Sequence, residues 1–414
     1  LWKTSAHSPE ENMDWQKCSG IRRSYLGRYF TSERVGQLLI DSMQNVSPSL
    51  VLDLGAGDGA LTAAASKQWS DALFLTVDID LNARSKSLES VTQGRFTHTT
   101  TDALSHDLPN KINLSLASAD AAICNPPYIR PKWHSDFKYI LEEAGLDDVL
   151  YSKRDISAEL LFIAQNLRLL KSGGLLGLIL PDGIISGDKH LDLRRKLLEC
   201  HSVESVIELP RRVFRRTDAK THILVLRKNG LPSKNITLQR VDENNNFCRP
   251  MQVSTSSAVE RLDYTYHSRD FNKSNGIKVS DILIKLVRGN ISSSERQSRN
   301  YPVFHTSDMC SGQYKIPFNF FINNEKLVNN EVVACHGDIL ISRVGRNLTD
   351  KICMVENGNV VISDCIILIR VSIEHRNKLF LYLISSEGKD YLNALSHGVG
   401  AKFLTQKAIL NLTF

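Results

Sequence analysis

An apolar run that ends in two consecutive prolines, Ala121-Ala122-Ile123-Cys124-Asn125-Pro126-Pro127-Tyr128, restricts the fold more than any other stretch of this chain. The apolar residues suit a buried strand of a parallel sheet. Prolines have no backbone N–H and cannot continue a ladder, so the chain must turn at the strand's C-terminal edge. In open α/β sheets that edge is where ligands sit. The turn is rich in acceptors: carbonyl oxygens stiffened by Pro126 and Pro127, and the amide oxygen of Asn125. Tyr128 adds a flat face and a hydroxyl at its rim. Together they suit a planar heterocycle carrying an exocyclic amine. Four such residues would also serve as a plain loop, so the neighbouring segments decide between the readings.

A chain of 414 residues exceeds one ordinary core and implies two or three domains. Hydrophobic content of 42% with 23% charged residues is that of a soluble globular protein. The Leu175–Leu180 run is far too short to span a bilayer. Leu1-Trp2-Lys3 leads into a polar stretch, so no signal peptide is expected, and a first residue other than Met suggests a trimmed start. The eight cysteines form no Cys-x-x-Cys pair, and no histidine stands at ligand spacing beside them. Reduced thiols, a cytoplasmic location and no structural metal are therefore expected. A net charge of +6 names no partner by itself, but Arg211, Arg212, Arg215, Arg216, Lys220, Arg227 and Lys228 crowd one region and would suit a phosphate backbone.

Glu33 to Met43 is an amphipathic helix with Val35, Leu38, Leu39 and Met43 on one face, and Thr31 or Ser32 is placed to cap it. Leu50-Val51-Leu52-Asp53-Leu54 is a buried strand running into Gly55-Ala56-Gly57-Asp58-Gly59 and a helix. Glycines there allow the close backbone approach that a nucleotide-type cofactor needs. The next strand, Leu73 to Asp78, ends in an acid suited to ribose hydroxyls. Asp53 and Asp58 beside the turn would repel a pyrophosphate and favour a ligand with an amino group or cationic centre, so S-adenosylmethionine is expected rather than NAD. Asp102, a third acid after a β-rich run, is either an adenine-amine acceptor or an ordinary turn residue.

With the Asn125-Pro126-Pro127-Tyr128 turn following these segments, the first half resembles the adenine-N6 DNA methyltransferases of gamma-type motif order. The helix expected from Ala158 to Leu170, the strand and loop Leu175 to Gly183, and strands at Glu204–Leu209 and His222–Leu226 continue the likeness. The resemblance implies an α/β fold: a Rossmann-like class I methyltransferase domain on a mostly parallel seven-stranded sheet. It implies that Tyr29 and Thr31 line the methionine end of the cofactor, Asp53, Gly55 and Gly57 its amino-acid portion, Asp78 the ribose and Asp102 the adenine, with Asn125 at the border. Asn125 and the carbonyl of Pro126, held by Pro127, would grip the target amine, with Tyr128 on one face of the base and Phe214 on the other.

The polar segment from Lys228 to about Glu260 reads as a connection, so residues 1–240 are assigned to the methyltransferase domain and 241–414 to a second one. Leu262–Tyr264, Gly337–Gly345 and Val360–Ser363 read as short strands between loops. With the closing Leu395–Leu404 stretch, the second half resembles the smaller α+β target recognition domain of type I restriction specificity subunits. Its candidate contacts to double-stranded DNA are Lys315, Arg343, Arg346, Lys351 and Lys402, beside Arg215, Arg216 and Lys220 from the first half.

The expected reaction turns an adenine out of the duplex and methylates its N6, with no covalent intermediate and no metal. Such an enzyme would belong to a restriction-modification system, as a monomer or homodimer able to associate with restriction subunits. RNA or a protein glutamine amide are alternative substrates, and the chain could be the modification portion of a larger polypeptide. A binding subunit with an inactive catalytic half is a reading of another class, which the intact turns oppose.

Overall fold

The computed structural model describes residues 31–414 apart from 82–87, 89–91, 151, 212, 215–219, 269–275, 323–329 and 399–400. A nine-stranded sheet organises the first half: β1 (Leu50–Leu54), β2 (Leu73–Asp78), β3 (Phe96–Thr100), β4 (Ala119–Cys124), β5 (Leu170–Pro181), β6 (Ser202–Glu208), β7 (Thr221–Arg227), β8 (Asn235–Arg240) and β9 (Met251–Ser254). Their order is β3-β2-β1-β4-β5-β7-β6-β8-β9. The strands from β3 to β5 are mutually parallel, while β7 runs antiparallel to both β5 and β6. The first seven strands are the α/β arrangement expected from the sequence. β8 and β9 are additions, and they correct the reading of 228–260 as a connection: β8 pairs parallel with β6, and β9 lies past the expected boundary at residue 240.

Alternate residues of each strand enter different cores, as a pleat of period two requires. Leu52, Leu54, Ala122, Cys124, Leu176 and Leu178 face the helices Ser135–Glu143, Ala158–Leu169 and Leu191–Cys200. Val51, Ala121, Ile123, Leu175 and Ile179 face the helices Glu33–Ser42 and Ala60–Gln68. The strands are apolar on both sides because both faces are covered. Gly177 lets one helix lie close: a Cβ there would come within 2.3 Å of Met43 Sδ.

In the second half, Leu283–Arg288, Ile366–Val371, Ile339–Ser342 and Ile352–Met354 form an antiparallel sheet in that order. Asn359–Ile362 organises a smaller sheet, and Val344–Gly345 pairs with Lys402–Phe403 in a two-stranded ribbon. The strands expected around 339–345 and 360–363 are present. The one expected at 262–264 is not, because Asp263 opens a helical turn over Tyr264–His267.

Candidate active site

β1 and β4 are neighbours, with Asp53 opposite Ile123, yet the chain leaves them for opposite sides of the sheet. That reversal opens a crevice at their C-terminal ends, and both turns singled out in the sequence meet there. Asn125 follows β4 directly, and its Nδ2 donates to Thr31 Oγ1 at 2.9 Å. The amide oxygen is thereby turned the other way, within 3.5 Å of the Tyr128 hydroxyl. The Pro127 carbonyl accepts the Ile129 N–H at 3.1 Å, whereas the Pro126 carbonyl accepts no hydrogen bond among the described residues. Thr31 is not the helix cap, since that role falls to Ser32, whose Oγ accepts the Val35 N–H.

The glycine turn faces this corner. Gly55 and Gly57 have φ of +76° and +59°, which side chains rarely adopt. A Cβ on Gly57 would meet nothing within 4 Å, so open space lies in front of it, while Phe162 packs under Gly55. Asp53 is buried between strand and helix. Its Oδ2 accepts the Thr62 hydroxyl at 2.7 Å and its Oδ1 has no hydrogen-bond partner among the described residues. Burial, reinforced by the charges of Asp78 and Asp58 and opposed by Thr62, pushes the carboxyl up to about 7. Asp78 closes the turn by accepting the Gly57 N–H at 2.8 Å. Asp102 is exposed and accepts the Leu104 N–H at 2.9 Å, so its carboxylate shapes a local turn at the end of β3. Cys124, whose thiol burial pushes well above its usual range, packs against the Leu54 carbonyl and is no nucleophile.

The crevice offers a buried Asp53 carboxylate oxygen with no partner among the described residues and an uncovered glycine backbone, features that suit a ligand with an ammonium group; Asp78 accepts the Gly57 and Asp80 N–H groups. Thr62 and Phe162 were not singled out from the sequence. Their only signal is helical placement, nine residues after Asp53 for Thr62, which means little without the fold.

Other expected residues stand elsewhere. Tyr29, Arg212, Arg215 and Arg216 lie outside the described residues. Phe214 is 1% exposed and packed with Leu209, Ile207 and Ile223, so it offers no open face to a base. Lys220 is no DNA contact: its Nζ lies 3.2 to 3.4 Å from Glu208, Asp263 and Asp182. The basic cluster as a whole is divided, since Lys220 and Lys228 sit at opposite ends of β7 and Arg227 pairs with Glu204. Lys315 is exposed and pairs with Glu356, and Lys351 donates to the Thr306 carbonyl. Arg343 and Arg346 flank the strand Val344–Gly345, where Gly345 faces Lys402; Arg343 Nε donates to the Asp364 carbonyl at 2.9 Å and Lys402 Nζ to Asn393 Oδ1 at 2.8 Å. Among the described residues, no group of His, Cys, Asp and Glu could hold a metal ion, and no helix is long and apolar enough to cross a membrane.

A family model described as N-6 DNA Methylase matches residues 17–279. The chain is 26% identical over 186 residues to the ribosomal RNA large subunit methyltransferase G of Shewanella amazonensis, covering 43% of this chain and 40% of that protein. It is 27% identical over 154 residues to the type I restriction enzyme MpnII methylase subunit of Mycoplasma pneumoniae, covering 36% and 28%. The chain thus spans less than half the length of these relatives. In structure it is similar to the type IIG restriction endonuclease BpuSI, with a TM-score of 0.52 at 16% identity over 95% of this chain and 59% of that one, a likeness of fold alone.

Proposed function

We propose that this chain, which belongs to the N-6 DNA methylase family, methylates the N6 amine of an adenine turned out of duplex DNA, as the modifying part of a restriction-modification system. The observation that carries the reading is the corner after β4: an amide oxygen aimed by Thr31 and a Pro126 carbonyl that accepts no hydrogen bond among the described residues, beside the glycine turn. Two acceptors at one corner suit the two protons of an exocyclic amine.

Asp53, Gly55, Gly57, Asp78 and Asp102 would hold S-adenosylmethionine, which supplies a sulfonium methyl group when bound. The chain's own residues do the rest. Turning the base out costs a few kcal/mol, and stacking on Tyr128 offsets about 1–3 kcal/mol of it. Asn125 Oδ1 and the Pro126 carbonyl, each accepting an amine proton, favour a more tetrahedral nitrogen whose lone pair is free to attack. Both oxygens also stand where positive charge grows on that nitrogen, so they stabilise it without reorganising. The second half would read the bases, with Arg343, Arg346 and Lys402 against the DNA backbone.

The test compares methyl incorporation from labelled cofactor into duplex DNA, structured RNA and a glutamine peptide, followed by mapping of methylated adenines. Transfer to duplex DNA at a fixed sequence supports the reading. Transfer to RNA alone overturns it in favour of the second reading, which the likeness to a ribosomal RNA methyltransferase favours.

A further inference from the structure

The two sides of the crevice carry opposite charge. Asp58, Asp78 and Asp80 stand on the side of the glycine turn. On the other side, the chain that leaves the Asn125 corner carries cations. Arg130 is exposed two residues after Tyr128, and exposed Lys132 follows it. Lys153 and Arg154, also exposed, precede the helix Ala158–Leu169 and are brought to the same place. Lys153 Nζ lies 5.1 Å from the centre of the Trp133 ring, and the Ala158 N–H donates to the Ile129 carbonyl at 3.0 Å. Among the described residues, none of these four side chains forms an ion pair. The acid beside them, Asp155, is taken at 2.9 Å by Lys189, from the segment after β5. That hydrogen bond holds Asp155 below the usual carboxylate range, helped by the charges of Lys189 and Arg130. Glu159, in the first turn of the helix, is pushed up by burial against the charges of Arg130 and Lys189.

Exposed cations are ordinarily just solvated, and two features set these apart. Arg130 has a fixed root. Ile129 donates its N–H to the Pro127 carbonyl at 3.1 Å and accepts from Ala158, while Pro131 confines Arg130 to extended backbone conformations. With Pro126 and Pro127 also locked, the start of the Arg130 side chain keeps its distance from Asn125. The second feature is the sign of the field. A phosphate is repelled from the acids on the side of the glycine turn and drawn to the side of Arg130. A nucleotide extruded from a duplex rotates about its own backbone, so a grip on the phosphate beside it keeps the base in the pocket.

We propose that Arg130, with Lys132, Lys153 and Arg154 around it, binds the phosphodiester beside the extruded adenine and fixes the rotated backbone while Asn125 holds the amine. The inference rests on the DNA methyltransferase reading. A guanidinium offers paired N–H donors that match two phosphate oxygens, which suits Arg130 to the centre of the patch and the lysines to its rim.

The test is Arg130→Gln beside Arg130→Lys, on a duplex that carries the mapped adenine. Arg130→Gln is expected to weaken duplex binding about tenfold, as loss of one charge-assisted hydrogen bond does, with calorimetric affinity for S-adenosylmethionine unchanged. The slope of log affinity against log salt should become shallower by about 0.9, one phosphate contact, and Arg130→Lys should restore it. A second measurement replaces each linkage flanking the adenine, in turn, by a neutral methylphosphonate. At one of the two, the wild type should lose about tenfold in affinity and Arg130→Gln less than about twofold, because the charge pair is already broken. Equal losses in the two proteins at both linkages, or an unchanged salt slope in Arg130→Gln, overturn the assignment and leave the methyltransferase reading standing. A wild type that methylates RNA and no DNA overturns that reading and the assignment together.

Discussion

Thr31 accepts a hydrogen bond from Asn125 Nδ2 at 2.9 Å, across 94 residues of chain, and so decides which end of the Asn125 amide faces the crevice. A freely rotating amide would present its NH2 group half of the time and repel the amine it has to hold. Removal of the hydroxyl in Thr31→Val is expected to lower kcat about tenfold, the equivalent of one ordinary hydrogen bond, with cofactor affinity changed far less. Thr31→Ser should retain most of the rate. Steady-state kinetics on duplex DNA checks both. Equal losses in the two variants would show that the hydroxyl orients nothing.

Asn125→Ala removes the acceptor itself. Cofactor binding, measured by calorimetry, should persist while methyl transfer falls about 100-fold or more, as when one preorganised group is taken from a developing charge. Near-normal turnover would remove Asn125 from the mechanism.

Asp53 makes the site depend on pH. Its ordinary carboxyl value is 3.8 and burial pushes it up to about 7. Between those values the folded chain holds a proton that the unfolded chain has released, so stability without cofactor falls as pH rises through that window. The contribution is about 4 kcal/mol at most, from roughly three pH units at about 1.4 kcal/mol each. A cationic ligand prefers the ionised form, so cofactor affinity should rise between about pH 6 and pH 8. Thermal melting from about pH 4 to about pH 7 and calorimetry from about pH 6 to about pH 8 should show both trends in the wild type and neither in Asp53→Asn.

The buried cluster around Lys220 carries the opposite sign. Burial alone would raise Asp182 and Asp263, yet Lys220 and Arg261, with His222 beside Asp182, hold both below the usual carboxylate range. Their contribution is complete above the unfolded value of about 3.9 and disappears as pH falls through the lower folded values. Acid unfolding followed by near-ultraviolet circular dichroism should therefore begin below about pH 4 in the wild type and at higher pH in Lys220→Met.

Phe214 is a core residue in this structure, so Phe214→Ala should lower stability by about 3–5 kcal/mol, the usual cost of emptying a buried aromatic site. Chemical denaturation measures it. A loss below about 1 kcal/mol, with activity reduced, would mean that the ring spends its time outside the core and against the base.

The parts legible in the amino-acid sequence were those specified by neighbours along the chain. Two prolines must end β4, glycines must supply the left-handed turn after β1, and apolar runs of strand length must be covered on both faces, so the sheet, its crevice and the two turns followed from local rules. Which residues meet across the chain was decided only by the tertiary structure. Thr31 reads as one of two candidate helix caps until β4 brings Asn125 to it, and Lys220 reads as one of a run of basic residues until β7 carries it to three carboxylates. The polar segment after Lys228 reads as a linker until β6 offers an unpaired edge for β8. The carboxyl of Asp53 is raised by the low dielectric around it, and that environment is made by packing between a strand and a helix, which the order of residues does not contain.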